Sequence, residues 1–231
     1  MRHPFRTAVA ALTVVAGAGT ALAGSANAAT STTGLSDIKS KAAVAISARL
    51  SSLSTAQTAI NSNKWLTPTD KSSALQIVSN DTSGLTALGQ KIQNDTTFAQ
   101  AVADYKTIFT GYRVYLLALP QIRLAAASDD LSTGVVPRLT DAQTRLQNLL
   151  NGKYKDKNTA TVQAAMADLA KQIQAITQET NGLSATVLAY TPQQYDSNTS
   201  ILSPARTAIS TARSDARAAR QDIKTVREAL R

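Results

Sequence analysis

The sequence contains no cysteine, and its single histidine, His3, stands at the extreme N-terminus. Everything beyond residue 3 is therefore without disulfides, Ser-His-Asp or Cys-His triads, histidine general bases, and zinc or iron sites built on thiolate or imidazole. Glutamate is almost missing, with only Glu179 and Glu228. Aromatic residues are few: one tryptophan, six tyrosines and three phenylalanines. No apolar run is long enough to span a bilayer as a helix, which takes about 20 residues. The longest, Ala8 to Ala23, is interrupted by Gly17 and Gly19.

That run has a different meaning. Arg2 and Arg6 precede it and Ala26-Asn27-Ala28 follows it, which is the order of charges, apolar core and small-residue cleavage site in a secretory signal peptide. The expectation is export with cleavage after Ala28, leaving a short disordered stretch, 29–34, ahead of a folded region at 35–231. Losing Arg2 and Arg6 from 24 basic residues leaves 22 against 15 acids, a net charge of +7. Export without disulfides fits a bacterial envelope protein stabilised by core burial. Without cysteine no lipid anchor can be attached, and Arg227-Glu228-Ala229-Leu230-Arg231 offers no hydrophobic tether. The expected location is extracellular, free or held at the cell surface by non-covalent contacts, with no transmembrane segment after cleavage.

Apolar residues recur at steps of three and four from about Leu35 onward, the periodicity of amphipathic helices. Leu202, Ala205, Ile209, Ala212, Ala216, Ala219, Ile223, Val226 and Leu230 form an unbroken seam. Val162, Met166, Leu169, Ile173, Ile176, Thr180, Leu183, Val187 and Tyr190 form a second, and Phe98, Val102, Tyr105, Phe109, Tyr112, Leu116 and Leu119 a third. Thr67-Pro68, as N-cap and first helical residue, separates a helix over 35–62 from one over 68–94. Pro120 is expected to kink or stop the third helix. Gly134 and Pro137 should weaken or bend the next, 121–151, with a break near 133–138 as the alternative, and Thr191-Pro192 to Asn198 reads as a long turn. The predicted fold is all-α, an antiparallel bundle of five to six helices with coiled-coil-like packing.

Leu53-Ser54-Thr55-Ala56-Gln57-Thr58-Ala59-Ile60 matches Leu139-Thr140-Asp141-Ala142-Gln143-Thr144-Arg145-Leu146, and Asp81–Ala87 matches Glu179–Ala185 in the same order. A duplicated three-helix unit, 35–119 and 121–231, would explain this. Chance matching in a chain rich in Ala, Thr, Ser and Gln would explain it too.

The sharpest surface feature flanks the last seam. Arg206, Arg213, Arg220 and Arg227 share one heptad position, with Arg217, Lys224 and Arg231 beside them. The stripe runs roughly 35 to 40 Å along a helix. It holds like charges at spacings of three and four, each such pair costing about 0.2 to 0.5 kcal/mol. An anionic partner would relieve that cost; acids on a neighbouring helix would do so as well. Arg213, Arg217, Arg220, Lys224 and Arg227 are the candidate anion-binding residues, for an anionic envelope polymer or an acidic lipid surface. Nothing indicates sequence-specific nucleic-acid recognition, since no aromatic interleaves with these arginines.

Tyr105, Phe109, Tyr112 and Tyr115 read as core aromatics, or alternatively as a stacking surface for which Arg113 supplies a polar contact. Trp65 reads as a staple between two helices. Asp129-Asp130 is the only adjacent acid pair with which a glycan could be cleaved, and a solvent-facing or capping role is the simpler reading. No metal or cofactor site is recognisable, and no catalytic residue is assigned.

The export signal, the stretch Tyr112-Arg113-Val114-Tyr115-Leu116-Leu117-Ala118-Leu119-Pro120-Gln121 and the turn Tyr195-Asp196-Ser197-Asn198 resemble those of exported helical-bundle proteins of actinobacteria whose role is uncharacterised. The resemblance implies a bacterial extracytoplasmic setting and carries over no functional residue. The functional expectation is a non-enzymatic structural or binding module at the cell envelope. Self-association through an Ala-rich seam and a carboxylate-dependent wall-glycan hydrolase are the alternatives.

Overall fold

The computed structural model describes the backbone of residues 26–231 and the side chains of 33–231. The expected signal peptide, 1–28, lies outside the described residues as far as residue 25. Among the described residues there is no strand, as the threes-and-fours periodicity requires. Nine α-helices are described: α1 (Ala26–Ser62), α2 (Pro68–Asn94), α3 (Phe98–Thr110), α4 (Leu119–Asp129), α5 (Val136–Asn151), α6 (Ala160–Thr180), α7 (Leu183–Leu188), α8 (Pro192–Ser197) and α9 (Ser203–Ala229). Thr67 caps α2, its Oγ1 accepting the Asp70 N–H at 3.1 Å, with Pro68 at the first helical position. Thr97 and Thr159 cap α3 and α6 in the same way. The short turns between α1 and α2, and between α5 and α6, fold each pair into an antiparallel hairpin.

Several boundaries differ from those read in the sequence. α1 begins at Ala26, so 29–34 is helical where disorder was expected; Ala, Ser and Thr tolerate a helix that is nucleated further along. The third helix ends at Thr110, ten residues short of the Pro120 expected to kink or stop it, because Arg113 takes a left-handed conformation, φ 49°. Pro120 stands at the start of α4 without breaking the helical run. A π turn, Val114–Ala118, precedes it, in which the Leu119 N–H reaches back five residues to the Val114 carbonyl. The same device recurs around Pro137: the π turn Asp130–Val135 ends with the Val136 N–H on the Leu131 carbonyl. Opening the ladder by one residue just upstream removes the clash with the carbonyl one turn back that would otherwise bar a proline. Helix therefore runs with two such widenings from Val114 to Asn151. The second predicted seam is interrupted where Gly182, at φ 65°, separates α6 from α7, and the long turn at 191–198 contains α8, closed by a Thr191–Gln194 capping box.

The buried side chains form two clusters. The first draws on α1, α2, α3, the first π turn, α4, α7 and the start of α9, around Leu53, Ile60, Leu85, Ile92, Ile108 and Leu117. The second comprises Leu131, α5, α6 and the rest of α9, around Leu150, Leu169, Ile176, Ala212, Ala219 and Val226. Leu124 and Leu183 pack against both. The α9 seam is buried as its spacing predicts, against α6 of the same chain. Its alanines allow close helix approach, and α6 covers the seam that the self-association alternative would pair between copies. The third seam is shifted. Ala101 and Ile108 are the buried members of α3, whereas Phe98 is 47% exposed and Phe109 37%.

Candidate functional site

α9 presents two faces because its apolar residues fall on one heptad-spaced strip and its cations on another. With the seam turned to α6, Arg206, Arg213, Arg217, Arg220, Lys224, Arg227 and Arg231 are all exposed. The carboxylate partners that would make this a solvated ion-pair flank are missing: among the described residues the stripe has a single ion pair, Lys224 to Glu228 at 3.8 Å within the helix. Asp215 and Asp222 lie half-buried on the opposite flank.

The arginines rim two shallow grooves. One, of about 380 Å³ between α4 and α9, is lined by Leu124, Arg206, Ile209, Ser210, Arg213 and Arg217. The other, of about 300 Å³ between α5 and α9, brings Arg220 and Arg227 together with Arg138 over a floor that includes Leu139 and Ile223. Of the five candidate anion-binding residues, Arg213 and Arg217 thus face one groove and Arg220 and Arg227 the other. Lys224 lines neither and leans to Glu228. Arg138 had no signal in the sequence. It is held in place by Trp65, its guanidinium 4.7 Å from the ring centroid.

Trp65 itself is fixed from below. It packs on Gly134, where a Cβ would come within 3.1 Å of the indole, and its carbonyl accepts the Thr133 hydroxyl at 2.8 Å. One residue-pair further on, the Thr67 N–H donates to Asp129 Oδ2 at 2.9 Å. Asp129, 2% exposed, lies within hydrogen-bonding reach of Asp70, another buried acid. Asp70 Oδ2 accepts the Thr67 hydroxyl at 2.9 Å and the Ser184 hydroxyl at 2.8 Å. No cation lies within ion-pair distance of either carboxylate among the described residues. Burial, together with the Asp70 charge, pushes the Asp129 carboxyl above the usual carboxylate range, against the hydrogen bond from Thr67. The real acid pair is therefore Asp70–Asp129, not Asp129–Asp130: Asp130 is exposed and does not converge with its neighbour. Through Thr67 and Ser184 the pair links α2, α4 and α7, a buried polar latch between them. Comparison with protein-family models, curated proteins and solved structures finds no match for this chain.

The aromatic group has an arrangement of its own. Tyr105 and Phe109 stack edge to face at 5.1 Å. Arg49 from α1, only 9% exposed, sits between Phe109 at 4.5 Å and Tyr115 at 5.1 Å. The two ring faces offset the cost of burying its charge, and burial lowers its pKa. Arg113, expected beside this group, turns away to Asp196, with Nη2 at 2.6 Å and the guanidinium 5.8 Å from Tyr195. That contact joins the stretch 112–121 to the turn 195–198. Among the described residues no helix is long and apolar enough to cross a membrane, and no cluster of three acids could hold a metal ion.

Proposed function

We propose that the chain is an exported, non-enzymatic binding module that attaches to an anionic component of the bacterial envelope through the basic face of α9. The observation that carries this reading is the row of exposed arginines without carboxylate partners. Two turns of helix separate each of Arg206, Arg213, Arg220 and Arg227, and none of these is neutralised by another helix. A purely structural flank would gain from acids on α5 or α6 opposite these positions; a surface awaiting an anion gains from their absence. Export rests on the Arg2-to-Ala28 pattern, and a non-catalytic role on the absence of cysteine and of any histidine beyond His3, together with the exposure of Asp130 away from its buried neighbour Asp129.

The test is co-sedimentation of the processed chain with isolated envelopes at low and high salt. Binding should fall steeply as salt screens the exposed charges, and replacing Arg213, Arg217, Arg220, Lys224 and Arg227 with Gln should abolish it. Association that survives both changes would remove the proposal.

A further inference from the structure

The two grooves along α9 have similar volumes and three arginines each, but they differ in how those arginines are held. Arg206, Arg213 and Arg217 are exposed side chains with no ring or carboxylate against them among the described residues. Binding an anion there means ordering three long side chains, each of which loses rotamer freedom. In the α5–α9 groove one of the three is already ordered, because the Arg138 guanidinium lies on the Trp65 ring. A planar fork stacked on an aromatic keeps its N–H edge outward, the edge that meets two oxygens of a tetrahedral oxyanion. Arg220 and Arg227 flank the same groove from two successive turns, about 10 Å apart along α9, within reach of their long side chains. Three guanidinium forks ask for more acceptor oxygens than a single carboxylate offers; a phosphate ester or a short run of phosphates supplies them.

We propose that Arg138, Arg220 and Arg227 form a preorganised site for a phosphate-bearing ligand, with Trp65 as the residue that positions Arg138. This rests on the basic-face reading and narrows it to one groove, one ligand chemistry and one residue outside α9. Trp65 is positioned in turn by its seat on Gly134 and by the hydroxyl of Thr133. The site carries its own reporter, since Trp65 is the only tryptophan in the chain.

The experiment is a titration of the processed chain with tripolyphosphate at low ionic strength, followed by Trp65 emission and by calorimetry. A saturable emission change is expected, with Arg138→Gln weakening the calorimetric affinity about tenfold and joint replacement of Arg206, Arg213 and Arg217 by Gln weakening it less than about threefold, as preorganisation favours the stacked arginine. Calorimetry on Trp65→Leu should match Arg138→Gln, and Trp65→Tyr, which keeps a ring under the guanidinium, should restore most of the affinity. A silent tryptophan, or a larger loss from the α4–α9 triple, overturns the site. Competition by anionic phospholipid vesicles or by a polyol-phosphate polymer assigns the source of the phosphate, and displacement by neither overturns its assignment to the envelope. If the five-residue variant loses envelope association while Arg138→Gln changes neither readout, this site falls and the basic-face reading stands. If tripolyphosphate binds through Arg138 but envelope association ignores the five-residue change, the site stands and the envelope reading falls.

Discussion

Asp129 shows how far a single residue can depart from its sequence context. Its neighbour Asp130 suggested a surface pair, yet its partner is Asp70, and the hydrogen bond that fixes it, from Thr67, spans 62 residues. Nothing in local spacing can reveal such a pair; burial and the missing cation give it chemical meaning. A carboxyl whose pKa is raised on folding binds its proton more tightly in the folded state. Its contribution to stability is therefore complete below the unfolded value of about 4 and is lost as pH rises through the folded value. Asp81, which burial raises to about 6, acts in the same direction, so thermal stability should decline between about pH 4 and pH 7 from Asp81, with Asp129 adding a loss of the same sign as pH rises. Asp129→Asn keeps an acceptor for the Thr67 N–H and supplies a donor for Asp70 without the second charge. At pH 8 it should gain on the order of 1 kcal/mol, read as a rise of about 2–4 °C in Tm for a domain of this size. The part of the pH decline due to Asp129 should also vanish. A lower Tm for Asp129→Asn at pH 8 would mean that the pair is held as two satisfied anions instead.

Helices were legible wherever burial followed a strip of small and aliphatic residues, and less so where identity and burial diverged. The α9 seam is legible from Leu202 to Val226, with Leu230 only half-buried, because Ala, Ile and Val alternate there with Arg, Asp, Ser and Thr, and the bounds of α2 are legible because Thr67, Pro68 and Asn94 mark its ends. On α3 the aromatic residues drew the seam to Phe98 and Phe109, whereas Ala101 and Ile108 are buried and the rings lie at the rim beside Arg49. At Pro120 and Pro137 the sequence leaves a kink and a stop equally open, because a π turn upstream, which accommodates each ring, has no sequence signature beyond the proline itself. The α5–α9 groove was half visible: Arg220 and Arg227 share the legible heptad, while Arg138 comes from another helix and Trp65 from a turn. The two faces of α9 should respond to mutation in opposite ways. Ala219, fully buried against α6, should not accept a larger side chain, and Ala219→Leu should cost about 1–3 kcal/mol through overpacking. Arg213→Gln on the outer face should stay within about 0.5 kcal/mol of the parent or gain slightly from relieved repulsion. Urea midpoints of the two variants would check both, and equal losses would mean that the arginine row supports the fold.

The two buried clusters raise the question of whether the chain folds as two three-helix units or as one body. Leu202, just before α9, and Ala205 within it belong to the first cluster, and the rest of the α9 seam to the second. The helical run from Val114 to Asn151 likewise crosses from one to the other. Leu124 and Leu183 touch both, and the Asp70–Asp129 latch ties α2 to α4 while Ser184 brings in α7. A unit that unfolded alone would tear each of these apart and leave two acids and the ends of two continuous helices exposed. The expected behaviour is therefore a single cooperative transition, in which loss of helix and exposure of Trp65, lying on Gly134, occur together. Leu169→Ala, a cavity confined to the second cluster, should cost about 2–5 kcal/mol and shift both signals to the same lower midpoint. A variant in which helix is lost in two steps, with Trp65 following only one, would show that the clusters are separable and would favour the duplicated unit as the folding element.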